Sequence, residues 1–356
     1  MSDLLLRDDV EPNECDAHKK TALRWAVERR DAPAVDLLLQ HKKTDPNRAD
    51  GDNITPLHVA IFQRDGGIVK RLLSHPAIDP NLCTDSQCQL FCNELEGCSG
   101  SKTFFIETSL HIAVSQLYER GVRRLLEHPK VDPNALDEEG GTPLHGAVVE
   151  KSPRIITLLL THSETDPNIL DIQGYAPIHN GIRIREAWSE IKPDSRVLTP
   201  LLQDLRTDPN ICDQRDNTPL HMAARWGDSL AVRLLLGHRK IKPYSKDEDG
   251  VLPIELLIRG YREIASETPQ KRKYRDCYEA FFNYHVTVAT CFIFAGEQKK
   301  LLEAGAGAVQ TSVGSLPSEV LRIICGLMRP PSLDVVRKRG AKKPLAGPPL
   351  RKMARS

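Results

Sequence analysis

The chain is poor in aromatic residues, which make up 5% of its 356 positions, and it has no surplus of either charge, with 49 Lys and Arg against 48 Asp and Glu. The first scarcity removes the stacking platforms on which single-stranded nucleic acids lie, and the second removes a global pull toward polyanions. Nucleic acid is therefore not an expected partner. Long apolar runs are missing too. The longest, Val286–Ala295, is far below the roughly 20 residues of a membrane-spanning helix and reads as a buried helix or strand. No membrane association is expected. The opening Met1–Asp9 has too short an apolar stretch, and the wrong charge, for a secretory signal. The cysteines number nine, an odd set without a regular disulfide framework, which points to a reducing, cytoplasmic setting. There is no nucleophile elbow, phosphate-binding loop or H-E-x-x-H, so neither an enzyme nor a cofactor is expected.

What is present is a period. Thr-Pro-Leu-His stands at Thr55–His58, Thr142–His145 and Thr218–His221, with altered copies at Thr21–Arg24, Thr108–His111 and Ala176–His179. The step from Thr21 to Thr55, from Thr108 to Thr142 and from Thr142 to Ala176 is 34 residues. Asp-Pro-Asn keeps the same beat at Asp45–Asn47, Asp79–Asn81, Asp132–Asn134, Asp166–Asn168 and Asp208–Asn210. A fixed period of this size makes a stacked solenoid.

Thr is a helix N-cap and Pro suits the first helical position, where its missing N–H costs nothing. Leu57 and Ala60, or Leu220 and Ala223, then share a face. A second helix follows with an apolar stripe, as in Val35, Leu38 and Leu39 or Val232, Leu235 and Leu236. Asp-Pro-Asn ends it. The expected fold is all-α, a solenoid of helix-turn-helix units joined by hairpin loops. The repeated His58, His111, His145, His179 and His221 recur with the motif and so belong to the turns.

Two steps are too long. Thr55 to Thr108 is 53 and Ala176 to Thr218 is 42, which places insertions near 83–107 and 184–196. The first carries Cys83, Cys88, Cys92 and Cys98, four thiols that suit tetrahedral zinc, although at irregular spacing without a C-x2-C pair. A loop with free thiols is the preferred reading.

The motif resembles the ankyrin repeat over 16–260, about six copies and a terminal half-repeat, after a lead-in at 1–15. That resemblance implies a non-enzymatic protein–protein interaction module that holds a protein client on its concave face. Client contacts are expected at the hairpin tips, through Asp50, Asp52, Asp137, Glu138, Gln173, Tyr175, Arg215 and Asp216, and at Trp226. Trp226 and Trp25 read equally as packing residues between repeats.

Beyond the repeats, 261–303 reads as a helical cap and linker. Ser315–Leu327 follows, an amphipathic segment with Leu316, Val320, Leu321, Ile324 and Leu327 on one face. Its Leu-Pro-x-Glu start resembles the opening of an F-box, and the match reaches Leu316, Pro317, Glu319, Val320, Leu321 and Ile324. The resemblance implies a Skp-type adaptor and a cullin ubiquitin ligase as partners. The later F-box helices have no counterpart. Repeats first and a shortened box last (315–330) is the PRANC arrangement, similar to ankyrin proteins of large DNA viruses and intracellular bacteria, and implies a host–virus or host–bacterium role in the host cytoplasm. A SOCS box, which recruits Elongin B and C, fits less well, because Leu321 and Cys325 match but Arg329 falls at an aliphatic position. A helix that merely docks on the repeats remains open. So does an IκB-like inhibitor or scaffold acting by occupancy. The tail at 331–356 is basic and Pro-rich, with no acid after Asp334. It reads as disordered, either a bipartite signal for a nuclear import receptor or a solvated tail.

Overall fold

A computed structural model describes residues 11–51, 53–84, 107–183, 195–264 and 268–284. The described helices come in pairs. An inner helix of two turns and an outer helix follow one another in α1 (Ala22–Glu28) and α2 (Ala32–Gln40), α3 (Pro56–Phe62) and α4 (Gly66–Leu73), and α5 (Ser109–Ser115) and α6 (Glu119–Leu126). The series continues with α7 (Pro143–Val149) and α8 (Pro153–Thr161), α9 (Pro177–Arg183) and α10 (Ser195–Gln203), and α11 (Pro219–Trp226) and α12 (Ser229–Leu236). Then come α13 (Pro253–Glu263) and α14, which spans 269–284. Odd-numbered helices up to α13 stack on one another in one row, and even-numbered helices up to α12 in a second. No strand occurs among the described residues, only isolated bridges such as Cys83 with Thr108. The expected all-α solenoid is the observed fold.

Local chemistry explains each pair. Thr21, Thr55, Thr108 and Thr218 cap their helices by accepting the N–H three residues on, and Pro opens α3, α7 and α11. The repeated His completes a reciprocal cap. His58 Nδ1 accepts the Thr55 N–H at 3.1 Å, which puts the ring proton on Nε2, and Nε2 donates to the Leu82 carbonyl of the next repeat at 2.9 Å. His145 repeats this with Tyr175, and His221 with Val251. Burial pushes the pKa of His58 and His179 down to about 4, so these rings are neutral.

The Asp-Pro-Asn element does more than end a helix. Asn81 donates its amide to the Lys130 carbonyl at 2.7 Å, and its Oδ1 accepts the Asp132 N–H at 2.8 Å. Asn47, Asn134, Asn168 and Asn210 clamp the following repeat in the same way. Asn13 of Glu11-Pro12-Asn13 clamps Lys43 and Asp45 likewise, so the ladder begins within what the sequence reads as a lead-in.

The first insertion leaves the stack undisturbed because its two ends are tied together. The Thr84 N–H donates to the Glu107 carbonyl at 3.0 Å, and the Glu107 N–H returns to the Thr84 hydroxyl at 3.2 Å. At the other end of the array, α14 buries Tyr274, Cys277, Ala280 and Phe281 on one face. The Tyr274 hydroxyl donates to the Arg225 carbonyl of α11 at 2.7 Å.

Candidate functional site

Each hairpin tip is built on one Asp. Asp137 Oδ1 accepts the Glu139 and Gly141 N–H groups at 2.9 and 2.7 Å, and Asp171, Asp213 and Asp247 do the same for their own tips. Two residues read as client contacts are therefore spent on the fold. Asp137 is one. Asp50 is the other: it accepts the Ile54 N–H at 3.0 Å and lies 3.3 Å from Arg24 Nη2, with both side chains almost wholly buried. Arg24 occupies the position of the motif His, and its charge demands the counter-ion that Asp50 supplies.

The remaining tip residues fall on the surface. Glu138, Gln173, Arg215 and Asp216 are exposed, and Tyr175 is half-buried. Asp52 lies outside the described residues, as do Leu316, Pro317, Glu319, Val320, Leu321 and Ile324 and the whole tail. Glu138 and Asp137 also face Glu107. Burial first, and these two carboxylates second, push the Glu107 pKa up to about 7.

Gln173, Tyr175, Arg215 and Trp226 converge on one cavity of 320 Å³ between the tips and inner helices of the fifth and sixth pairs. Sequence reading missed two of its walls. Arg183 lies over the Tyr175 ring at 4.1 Å and donates to Gln173 Oε1 at 3.2 Å, while Arg225 reaches Asn217 Oδ1 at 3.3 Å. Both arginines stand seven residues after the first position of their motif copies, where α7 carries Val149, 53% exposed. The motif phase alone marks this as the surface position of every inner helix. The cavity offers guanidinium groups, an aromatic face and amides without a nucleophile–base pair, which suits recognition of a polar or acidic protein segment. Trp25, by contrast, donates to Asp16 Oδ2 at 2.8 Å and lies under Lys20.

The zinc reading gains no support. Cys83 stands in the same repeat position as Cys15 and Cys212, one residue beyond the end of each Asn-x pair, and its thiol points to the Asn81 carbonyl. Burial, then Asp79, raises its pKa. Cys88, Cys92 and Cys98 lie outside the described residues. Among the described residues no group of three or more His, Cys, Asp or Glu is placed to hold a metal ion, and no helix is long and apolar enough to cross a membrane.

Comparison with known proteins agrees with this architecture. The family model "Ankyrin repeats (3 copies)" matches residues 2–84 and 86–171, and the model "Ankyrin repeat" matches 215–248. The chain belongs to the ankyrin-repeat family, whose members are protein–protein interaction modules. Among solved structures it is similar to the ankyrin repeat domain of Bcl-3, titled a unique member of the IkappaB protein family. The TM-score is 0.56 at 20% identity, over 72% of this chain and 98% of that one. It is also similar to EF0377, an ankyrin repeat protein, with TM-score 0.50 at 20% identity over 65% of this chain and 100% of that one. Likeness at this identity concerns the fold alone. No curated protein matches the chain.

Proposed function

We propose that the chain is a recruiting adaptor without an active site. The ankyrin array holds a protein client against its tips and inner helices, and the segment at 315–330 engages a Skp-type adaptor and, through it, a cullin ubiquitin ligase. The single observation that supports the client half is the cavity in which Tyr175, Arg183, Arg225 and Trp226 meet. Arg and Trp dominate interface energies when they line such pockets, with Gln173 and Arg215 beside them, while Asp216, Glu138 and, from the sequence alone, Asp52 would add tip contacts. The ligase half rests on Leu316, Pro317, Glu319, Val320, Leu321 and Ile324 in the sequence. The shortened box after the repeats supports a viral or intracellular bacterial role in host cytoplasm, and the basic tail supports nuclear import by a receptor.

A pull-down from cell lysate tests both halves, using the intact chain beside a Leu316→Ala, Pro317→Ala, Leu321→Ala variant and a Tyr175→Ala, Trp226→Ala variant. Skp-type adaptor and cullin are expected with the intact chain and lost only in the first variant, while the client is lost only in the second. Elongin B and C in their place would make the segment a SOCS box. No ligase component with any of the three would overturn the adaptor and leave an IκB-like occupancy inhibitor or scaffold, a reading that the fold likeness to the Bcl-3 domain, at 20% identity, does not carry by itself.

A further inference from the structure

The opposite face of the array carries a second cleft, of 760 Å³, between the outer helices α2, α4 and α6. Lys70 and Arg71 line it from α4, and Arg120 and Arg124 from α6. Asp36 is the acid on its wall, and it is committed to Arg71, with Nε 2.8 Å from Oδ1. Asp65 lies beside the cleft but is occupied as the cap of α4, accepting the Gly67 and Ile68 N–H groups at 3.0 Å. Lys70, Arg120 and Arg124 therefore face the opening without an ion pair among the described residues.

A second observation points to a ligand. Tyr118, 8% exposed, has a buried hydroxyl with no hydrogen-bond partner, and the buried Nε of Arg124 has none either. Both converge on Gly66 in the cleft wall. A Cβ placed on Gly66 would lie 3.0 Å from Tyr118 Oη, 3.4 Å from Arg120 Cδ and 3.9 Å from Arg124 Nε. Without a side chain on Gly66 the two orphaned donors pack against the α4 backbone at the cleft wall, close to the Arg120 stem, and a buried donor without an acceptor is a standing cost that an incoming oxygen relieves.

We propose that this cleft docks an extended acidic segment of a protein partner, with one carboxylate beside Gly66, drawn by Tyr118 and Arg124, and its neighbours along Lys70 and Arg120. Three observations favour a peptide over other polyanions. The cleft runs across three outer helices and so accepts a chain longer than a single anion. It presents no Phe, Tyr or Trp face on which bases would stack, since Tyr118 is buried and the one ring on its wall is the imidazole of His75. Its walls, set by side chains of three successive outer helices, suit a strand of polypeptide better than the flat surface of a bilayer.

The test is fluorescence anisotropy of fluorescein-labelled hexaglutamate with the full chain at low salt. The intact protein should bind, and Arg120→Gln with Arg124→Gln should weaken binding by about tenfold or more. Tyr118→Phe should weaken it by a few-fold, and Arg48→Gln with Arg239→Gln, a charge-matched change on exposed positions elsewhere, should not. Circular dichroism checks folding; if the Arg124 variant unfolds, Lys70→Gln with Arg120→Gln, both exposed, replaces it. Equal loss in the charge-matched control, or no loss in the cleft variants, overturns the proposal. So does diglutamate binding as tightly as hexaglutamate with inorganic phosphate displacing both, which makes the cleft a site for a lone anion. A single-stranded oligonucleotide or phosphatidylserine vesicles binding more tightly through the same arginines overturns it as well.

Discussion

Asn81 holds Asp132 across 51 positions of sequence, its Oδ1 accepting the Asp132 N–H at 2.8 Å, although the step to the next clamp is only 32 to 40 in the other repeats. The clamp ignores the insertion because Thr84 and Glu107 close it off. Replacing Asn134, which grips Glu164 and Asp166 in an uninterrupted part of the array, orphans one carbonyl and one N–H. Asn134→Ala is expected to cost about 2 kcal/mol, read as a lower midpoint in urea, since each of the two hydrogen bonds lost is worth about 1 kcal/mol net. Asn134→Asp should retain the acceptor and lose less.

Arg24 and Asp50 form the buried ion pair of the first repeat. Removing one partner strands the other, so Arg24→Leu should cost about 3 kcal/mol or more, whereas a matched Arg24→Leu, Asp50→Asn pair should recover much of that loss. Arg24→His restores the residue that the motif carries elsewhere and should fall between them. A double-mutant cycle in chemical denaturation measures all three.

Acid should weaken the array through its neutral histidines. Burial lowers the pKa of His58 from 6.5 to about 4, so the unfolded chain takes up its proton first as pH falls. The stabilisation is complete above pH 6.5 and is lost between there and about 4, amounting to about 3 kcal/mol for His58. Urea midpoints should drop over this window, and the His58 ring resonance should titrate well below the usual histidine range.

Glu107 works in the opposite sense. Its folded pKa of about 7 exceeds the model-compound value of 4.5, so its ionisation costs stability as pH climbs between the two. Glu107→Gln should raise the urea midpoint at pH 8 and leave it unchanged at pH 4.5.

Gly260 accepts Tyr274 so closely that a Cβ would stand 2.3 Å from Tyr274 Cε1. Gly260→Ala should therefore lift α14 from α11 and α13. Hydrogen exchange would register this as faster exchange in 269–284, with protection in α7 and α8 retained, because distant repeats are coupled only through their neighbours.

The length of the period, the capping Thr and Pro and the apolar stripe of each outer helix were legible in the residues. Each arises from chemistry within a few positions, repeated often enough that its phase survives local decay such as Ala176 for Thr. The first clamp, at Asn13, was equally visible in Glu11-Pro12-Asn13 but stands before the first motif copy, where no preceding repeat announces it. Arg183 and Arg225 were within reach of the same phase.

Availability was a different matter. By sequence alone Asp50, Asp137 and Glu138 are similar exposed acids at hairpin tips. Only the folded chain shows that Asp50 pairs with Arg24, that Asp137 is consumed by its own loop, and that Glu138 stays on the surface. Nor does any local pattern bring Gly66, Tyr118 and Arg124 together, since one repeat step and an insertion lie between Gly66 and the others' helix. The sequence by itself determined the repeat and how each unit caps and clamps the next, because those bonds are made by neighbours in the chain or at a constant offset. The tertiary structure alone decided which polar groups remain for a partner, because that depends on what the adjoining repeat has already satisfied.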